Sequence, residues 1–215
     1  MNEGIRFDLT YETMPWHKVD AVVFDIGNVL IRYAPDDFVQ QLFPGDEAAQ
    51  QHMLEHVFGG PYWPEFDRGT MDYEEAARRL SAQFGRTEAE YLHALRGWIE
   101  LKTPVEEGWR AAGRCRRAGK RLYLLSNYPR EGYARMREKF ADRFALFDGG
   151  CISSDCHQLK PEPEIYRTLI DQCGLTPERT LFIDDTPANI EAALTAGWQG
   201  VCYNAPGQLD SFFRD

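Results

Sequence analysis

The sequence predicts an α/β protein whose core is a doubly wound, Rossmann-like parallel sheet carrying an inserted small α-helical cap domain. From about residue 105 onward, short apolar runs alternate with helical patterns. Strands that alternate with helices are typical of a parallel sheet covered on both faces. Residues 35–104 contain no convincing strand pattern, and the chain of 215 residues is long enough for a core with such an insert.

Five apolar runs are predicted as strands. The first, AVVFDI (21–26), is a continuous apolar run, as expected for a strand buried on both faces. The others are RLYLLS (121–126), GGCISS (149–154), TLFIDD (180–185) and QGVCYN (199–204).

The segments around the later strands carry helical patterns. They are PVEEGWRAAGRCRRAG (104–119), REGYARMREKF (130–140), PEPEIYRTLIDQCG (161–174) and TPANIEAALTAG (186–197). In the last of them Thr186 is a good N-cap, Pro187 suits the first helical position, and Gly197 suits the end of the helix.

Residues 35–104 are predicted to form the helical cap, and residues 1–34 with 105–215 the core. Asp72 with Glu75 and Thr87 with Glu90 have the spacing of capping signatures. Two apolar stripes at helical spacing follow these signatures. The stripes are Tyr73, Ala76, Ala77, Leu80 and Phe84, and then Tyr91, Leu92, Leu95, Trp98 and Ile99.

Composition limits the classes of partner. The formal net charge is −10, from 24 basic and 34 acidic residues, so we expect no nucleic acid and no membrane as partners. The N-terminal segment 1–18 lacks the pattern of a signal peptide, and five irregularly spaced cysteines suggest reduced thiols. We therefore expect a cytoplasmic monomer or homodimer that acts on a small molecule.

Polar residues stand where three of the strands end. The first strand ends near Asp25. The strand RLYLLS ends in Ser126, which Asn127 follows, and TLFIDD ends in Asp184 and Asp185. Ligands of open parallel sheets bind at the carboxyl ends of the strands. Three clustered carboxylates favour a hard cation such as Mg²⁺, which removes their mutual repulsion.

Lys160 precedes a helix that starts with proline, and it completes this set. A lysine and a hydroxyl such as that of Ser126 would neutralise and hydrogen-bond a phosphate. A carboxylate aimed at the phosphorus is a plausible nucleophile, which would form an aspartyl-phosphate. Asp25 and Lys160 are the predicted catalytic residues.

These motifs together resemble the haloacid dehalogenase-like hydrolase superfamily, and within it the sugar-phosphatase branch. They are DIGNVL, RLYLLSN, KPEPEIY and FIDDTPANIEAA, in that order along the chain. The resemblance covers nearly the whole chain, including the helical insert, which is similar to the helical cap of that family. It implies a Mg²⁺-dependent phosphatase acting on a small phosphometabolite, for example a sugar phosphate such as glucose 1-phosphate.

The resemblance also implies roles for single residues. Asp25 would be the nucleophile and a metal ligand, and Gly27 would bind the metal through its carbonyl group. Asp185 would bind the metal directly, with Asp184 beside it. Ser126, Asn127 and Lys160 would hold the phosphoryl group.

Gly27 departs from the family pattern, which usually has an aspartate there as general acid and base. Such help is typically worth about 10²–10⁴-fold in rate. One hypothesis is that the enzyme prefers phosphates with good leaving groups. The alternative is that the substrate or an acid of the insert replaces the missing group, with Asp36, Asp37, Glu65 and Asp67 as candidates.

Three rival functions stay open. A haloacid dehalogenase needs no metal. The pair Asp184 and Asp185 argues against this function, because such a pair suits Mg²⁺. A phosphonate hydrolase uses a cap lysine as a Schiff base, but the insert holds only Lys102, at its very end. A non-catalytic protein that binds a phosphometabolite would keep the fold without turnover.

Aromatic residues interleaved with glycine and proline, around positions 58–66, suggest a substrate pocket or a core of the insert. From this region we select Trp63, Glu65 and Arg68 as candidate specificity residues.

Overall fold

The computed structural model describes residues 16–213. Most of the N-terminal segment that lacks a signal-peptide pattern lies outside these described residues. Its centre is a five-stranded, fully parallel sheet with the order β3-β2-β1-β4-β5. The strands are β1 (Ala21–Phe24), β2 (Arg121–Ser126), β3 (Gly149–Ile152), β4 (Thr180–Asp184) and β5 (Gln199–Cys202). The predicted fold class is confirmed.

Helices cover the sheet and fill the long segment between β1 and β2. Those of the first half are α1 (Pro35–Leu42), α2 (Glu47–Met53), α3 (Trp63–Arg68), α4 (Tyr73–Phe84), α5 (Glu88–Glu100) and α6 (Glu106–Arg117). Those of the second half are α7 (Arg130–Lys139), α8 (Ala141–Phe144), α9 (Ser153–Cys156), α10 (Pro163–Cys173), α11 (Pro187–Thr195) and α12 (Gln208–Phe212). A single π-helical turn, Leu54–Phe58, continues α2.

Alternate side chains of β1 enter two different hydrophobic clusters. Val22 and Phe24 belong to one cluster, whereas Ala21 and Val23 belong to the other, and all four are buried. Burial on both faces explains why the strand is a continuous apolar run in the sequence.

The segment between β1 and β2 contains helices and no strand of the sheet in the described chain. Asp72 caps α4 by accepting a hydrogen bond from the backbone of Glu75, and Thr87 with Glu90 forms a full capping box at the start of α5. Trp98 and Leu80 from these helices join the cluster that also contains Phe24. The insert therefore packs onto one face of the core, while the domain limits at 34 and 105 stay a prediction.

The carboxyl ends of β1 and β4 lie side by side at the middle of the sheet. From β1 the chain proceeds to β2 on one side, and from β4 it proceeds to β5 on the other. The connections thus diverge between these two strands, which creates the crevice where open α/β sheets bind ligands. Within residues 16–213, no helix combines the length and the apolar character that crossing a membrane requires.

Candidate active site

Asp25 directly follows β1 and is held by a buried lysine. The Nζ atom of Lys160 lies 2.8 Å from Asp25 Oδ1 and 2.6 Å from Asp184 Oδ2. Burial raises the pKa of Asp25 to about 7, while the charge of Lys160 and hydrogen bonds from Lys160 and Ser126 oppose that rise. Burial alone would lower the pKa of Lys160, but the charges of Asp184 and Asp25 raise it above its usual value. Lys160 is therefore a fixed positive charge beside a carboxyl group whose pKa lies near neutral pH.

Asp184 and Asp185 are neighbours in sequence but have different surroundings. Asp184 is fully buried, and besides Lys160 it accepts hydrogen bonds from the Thr186 backbone and the Asn189 side chain. Asp185 is partly exposed to the crevice and accepts one hydrogen bond on each carboxylate oxygen, from the Asn28 side chain at 2.9 Å and from the Thr186 hydroxyl at 3.4 Å. Asp184 thus mainly positions Lys160, whereas Asp185 keeps oxygen lone pairs free for a ligand.

The three carboxylates fit a divalent cation. Oxygen atoms of Asp25, Asp184 and Asp185 all lie within 4.8 Å of one another. The Gly27 carbonyl lies at the same crevice and accepts one backbone hydrogen bond from Val29, so a second lone pair remains. Hard oxygen donors of this kind suit Mg²⁺, which commonly uses one or two carboxylates and keeps several waters.

The predicted phosphate-binding residues meet at the end of β2, but one of them, Asn127, makes its hydrogen bonds to the backbone of another, Lys160. Ser126, Asn127 and Lys160 all line the crevice. The Asn127 side chain bonds both to the backbone N–H of Lys160, at 2.8 Å, and to its carbonyl, at 3.0 Å. Asn127 therefore holds the backbone of Lys160 in place, and its side chain has less capacity left for a phosphate.

A cavity of about 230 Å³ opens in front of Asp25. Its outer wall is aromatic, with Tyr33 from the segment before α1, Trp63 and Trp98 from the insert, and Tyr128 from the loop after β2. The Trp63 and Trp98 rings lie 5.4 Å apart, and those of Trp98 and Tyr128 lie 5.8 Å apart. Among the predicted specificity residues, Trp63 lines this cavity.

Two ionisable side chains from the insert region also line the cavity, Asp67 and Lys102. Burial raises the pKa of Asp67 to about 7, with Lys160 and Lys102 opposing and Asp25 adding to the rise. Burial lowers the pKa of Lys102 well below its usual value, and its Nζ lies 4.3 Å from the Trp98 ring centre. In the sequence, Lys102 stands at the very end of the insert, which gave little support for a role in a Schiff-base reaction. The sequence signal that could have pointed to Lys102 is its position just beyond the second apolar stripe of the insert.

Glu65 and Arg68, the other predicted specificity residues, do not line this cavity. Arg68 reaches the core instead, where it forms a two-pronged ion pair with Glu162 and donates to the His157 carbonyl at 3.1 Å. The Glu65 carbonyl accepts the Thr70 backbone N–H at the end of α3. Arg68 therefore joins the insert to the core.

The contact around Arg68 forms a latch, which we define as residues 67–69 of the insert packed on residues 153–157 of the core. The Ser153 hydroxyl donates to the Asp67 carbonyl, and the His157 ring contacts the Arg68 carbonyl at 2.8 Å. Gly69 has a φ of +70°, and a Cβ at this position would overlap the Ser154 backbone. The latch brings α3, and with it Asp67, against the carboxyl end of the sheet.

The chain is similar to known hydrolases over most of its length. A family model for haloacid dehalogenase-like hydrolases matches residues 19–197. A sesquiterpene phosphatase of Aspergillus oryzae is 24% identical over 181 residues, which cover 84% of this chain and 88% of that protein. A D-ribitol-5-phosphate phosphatase of Bacteroides thetaiotaomicron is 24% identical over 186 residues, covering 84% and 90%.

The fold also matches a solved structure. A haloacid dehalogenase-like enzyme of Bacteroides thetaiotaomicron, crystallised as a magnesium complex, superposes with a TM-score of 0.70. The match covers 92% of this chain and all of that one, at 19% sequence identity. At this identity the likeness extends to the fold alone.

Proposed function

The chain belongs to the haloacid dehalogenase-like hydrolase family, and from that premise we propose that it is a Mg²⁺-dependent phosphomonoesterase working through an aspartyl-phosphate on Asp25. The observation that carries the proposal is that the buried pair of Asp25 and Lys160 lines the same cavity as the partly exposed Asp185. A carboxylate nucleophile, a fixed cation and a free carboxylate ligand are the groups that phosphoryl transfer to an aspartate requires.

Asp25, Asp185 and the Gly27 carbonyl are the residues that would hold the metal. When bound, Mg²⁺ supplies positive charge for the phosphate oxygens and favours the ionised form of the carboxylates. The solved relative that contains magnesium makes this the natural first cation to test.

The chain's own residues then divide the remaining work. Lys160 favours the ionised form of Asp25 against the effect of burial and adds a positive charge beside the site of attack. The Ser126 hydroxyl, buried at the end of β2, donates to Asp25 in the absence of substrate and would turn its single proton to a phosphate oxygen in the cavity. Asp25 Oδ attacks phosphorus, the bond to the leaving oxygen breaks, and water later releases phosphate from the aspartate.

The cavity supports a small substrate, and we propose a sugar phosphate such as glucose 1-phosphate. Its volume of about 230 Å³ is below the range of roughly 300–1,000 Å³ usual for ligand pockets. The aromatic rings offer flat apolar surface, while the Tyr128 hydroxyl has no hydrogen-bond partner among the described residues. That hydroxyl and the Lys102 amine suit a molecule that carries several hydroxyl groups. One relative acts, by its name, on a sugar-alcohol phosphate.

A phosphate-release screen tests the proposal directly. The panel contains glucose 1-phosphate, glucose 6-phosphate, sugar-alcohol phosphates and aryl phosphates, each with and without Mg²⁺. We expect Mg²⁺-dependent release that Asp25→Asn abolishes. Chloride release from a 2-haloacid without metal would identify a dehalogenase instead. Binding of phosphometabolites with no turnover of any of them would identify a non-catalytic protein.

A further inference from the structure

Asp67 differs from the other carboxyl groups that line the cavity. Asp25 is paired with Lys160, and Asp185 accepts a hydrogen bond from Asn28. The Asp67 carboxyl group has no hydrogen bond or ion pair with any other residue of the described part, although it lies in the same cavity as Asp25. An unpaired carboxyl group that faces a reacting centre is available for proton transfer.

The proposed reaction needs such a group twice. An alcohol leaves phosphorus most easily when its oxygen receives a proton, and the water that cleaves the aspartyl-phosphate must lose one. Gly27, two residues after Asp25, has no side chain to do either. The space there is open, since a Cβ on Gly27 would meet nothing nearer than Asp25 Oδ2 at 3.8 Å.

The other ionisable groups of the cavity are less suitable. Lys160 is bound to two carboxylates, which raises its pKa. Burial raises the pKa of Tyr33 and of Tyr128, so neither phenol readily exchanges its proton near neutral pH. Lys102 remains as a rival, but its Nζ donates to the Arg32 carbonyl at 3.3 Å and lies among aromatic rings.

We propose that Asp67, carried by the helical insert, is the general acid and base of this enzyme. In the first step Asp25 Oδ bonds to phosphorus, the bond to the leaving oxygen breaks, and the Asp67 proton moves to that oxygen. In the second step water bonds to phosphorus, its proton moves to Asp67, and the bond to Asp25 breaks. The products are the alcohol and phosphate, and Asp67 regains its starting form. This inference rests on the proposed phosphatase function.

The latch fixes Asp67 for this role. Its backbone carbonyl accepts the Ser153 hydroxyl, and that hydroxyl in turn accepts the Tyr128 backbone N–H at 2.9 Å. Asp67 therefore keeps its place in the cavity only while these contacts between the insert and the core are formed.

The charged and titratable groups that act on Asp67 come from several elements. Asp25 and Lys160 belong to the core, and Lys102 to the segment after α5. The phenols of Tyr33, Tyr73 and Tyr128 also lie within its electrostatic reach. Burial raises the pKa of Asp67 to about 7 against the two lysine charges, which suits a group that must give and take a proton near neutral pH.

Asp67→Asn, compared on two aryl phosphates, tests the inference. p-Nitrophenolate leaves without help, whereas the more basic phenolate of phenyl phosphate needs a proton. We expect Asp67→Asn to lower turnover of phenyl phosphate by about 10²-fold or more. With p-nitrophenyl phosphate the variant should show a burst of one nitrophenol per enzyme and then a slow phase, because only the second step still needs the base.

Three further variants sharpen the result. Asp36→Asn makes the same chemical change at an exposed site of α1 and should leave all rates unchanged. Gly27→Asp in the Asp67→Asn background should restore turnover of phenyl phosphate, because it places a carboxyl group beside Asp25. Lys102→Met should keep the wild-type ratio of the two substrates, whereas a changed ratio would assign the proton transfer to Lys102.

Equal loss on both substrates without a burst, or no loss at all, would overturn the role of Asp67. Should Asp67→Asn fold poorly, the wild-type enzyme provides the second test, because turnover of phenyl phosphate should fall on the alkaline side of pH 7. Wild-type turnover of p-nitrophenyl phosphate should lack that alkaline fall, because its leaving group needs no proton and the ionised Asp67 still serves as base in the second step. Failure of the proposed function looks different, since wild-type protein would then release no phosphate or Asp25→Asn would remain active.

Discussion

Lys160 and Asp25 form a buried ion pair, with 2.8 Å between Nζ and Oδ1, although 135 positions separate them in the sequence. Asp184 binds the same ammonium from the neighbouring strand. Both carboxylates therefore depend on one lysine for compensation of their charge.

Lys160→Met should destabilise the protein as well as inactivate it. Two carboxylates would remain buried without a cation, which typically costs about 3–5 kcal/mol. Denaturant unfolding without divalent metal measures this loss. The double variant Asp25→Asn/Lys160→Met should recover part of the stability, because one of the unpaired charges is gone. A double variant as unstable as the additive sum would contradict the pairing.

Asp185→Asn should weaken metal binding more than folding. In the wild type, Mg²⁺ should raise the melting temperature, because a ligand that binds only the folded state stabilises it. The variant should need a much higher Mg²⁺ concentration for the same rise. Asp171→Asn, an exposed change on α10, is the matched control. An unchanged Mg²⁺ response in Asp185→Asn would remove Asp185 from the metal site.

Gly69→Ala should disturb the latch and lower kcat/KM. A Cβ there would push α3 away from Ser154, and displacements of about 1 Å near a reacting centre can cost about 10²-fold in rate. Gly85→Ala is a matched control, because Gly85 has a similar positive φ of +85° but a Cβ there would meet no atom within 4 Å. Both variants should lose the stability that a positive φ costs, Gly69→Ala should lose more because its Cβ overlaps Ser154, and only Gly69→Ala should lose activity. Similar kinetics in both would show that the latch is not needed for catalysis.

Asp67→Asn should stabilise the metal-free protein in a pH-dependent way. Burial raises the pKa of Asp67 from its usual 3.8 to about 7, so the folded state binds more protons than the unfolded chain between these values. The wild type therefore loses stability as the pH rises from about 4 to about 7. The variant lacks this loss. The difference in unfolding free energy between the variant and the wild type should therefore grow from about pH 4 to about pH 7 and stay constant above pH 7. Unfolding free energies measured from pH 4 to pH 8 check the sign, and an advantage independent of pH would contradict it.

Lys102→Met distinguishes a phosphatase from a Schiff-base enzyme. Lys102 lines the cavity but has no ion pair with Asp25 or Asp184. We expect Mg²⁺-dependent turnover of p-nitrophenyl phosphate to stay within about tenfold of the wild-type rate, because Lys102 neither attacks phosphorus nor transfers the proton in the proposed reaction. KM for hydroxyl-rich substrates should rise. Complete loss of activity, together with borohydride trapping of an aldehyde substrate, would favour imine chemistry.

The sequence by itself determined the sheet, the helices and the carboxylates that stand at the carboxyl ends of the strands. Continuous apolar runs marked β1 and β4, and local signals such as the Thr87–Glu90 capping box marked the helix starts. Asp25 and Asp185 could be found because strands of one parallel sheet end at a common edge, so strand order alone brings them together.

Only the tertiary structure decided which residues of the insert face that edge. Asp67 enters the cavity, Lys102 closes its wall, and Arg68 turns instead to Glu162 on the core. Helical periodicity shows which side of α3 is apolar, but it does not show where the helix docks. Docking depends on contacts between segments about 90 positions apart, such as Ser153 with Asp67, and on the absence of a side chain at Gly69. Because these contacts are non-local, the sequence could not distinguish between the four candidate acids of the insert. In the folded protein one of them, Asp67, lines the cavity.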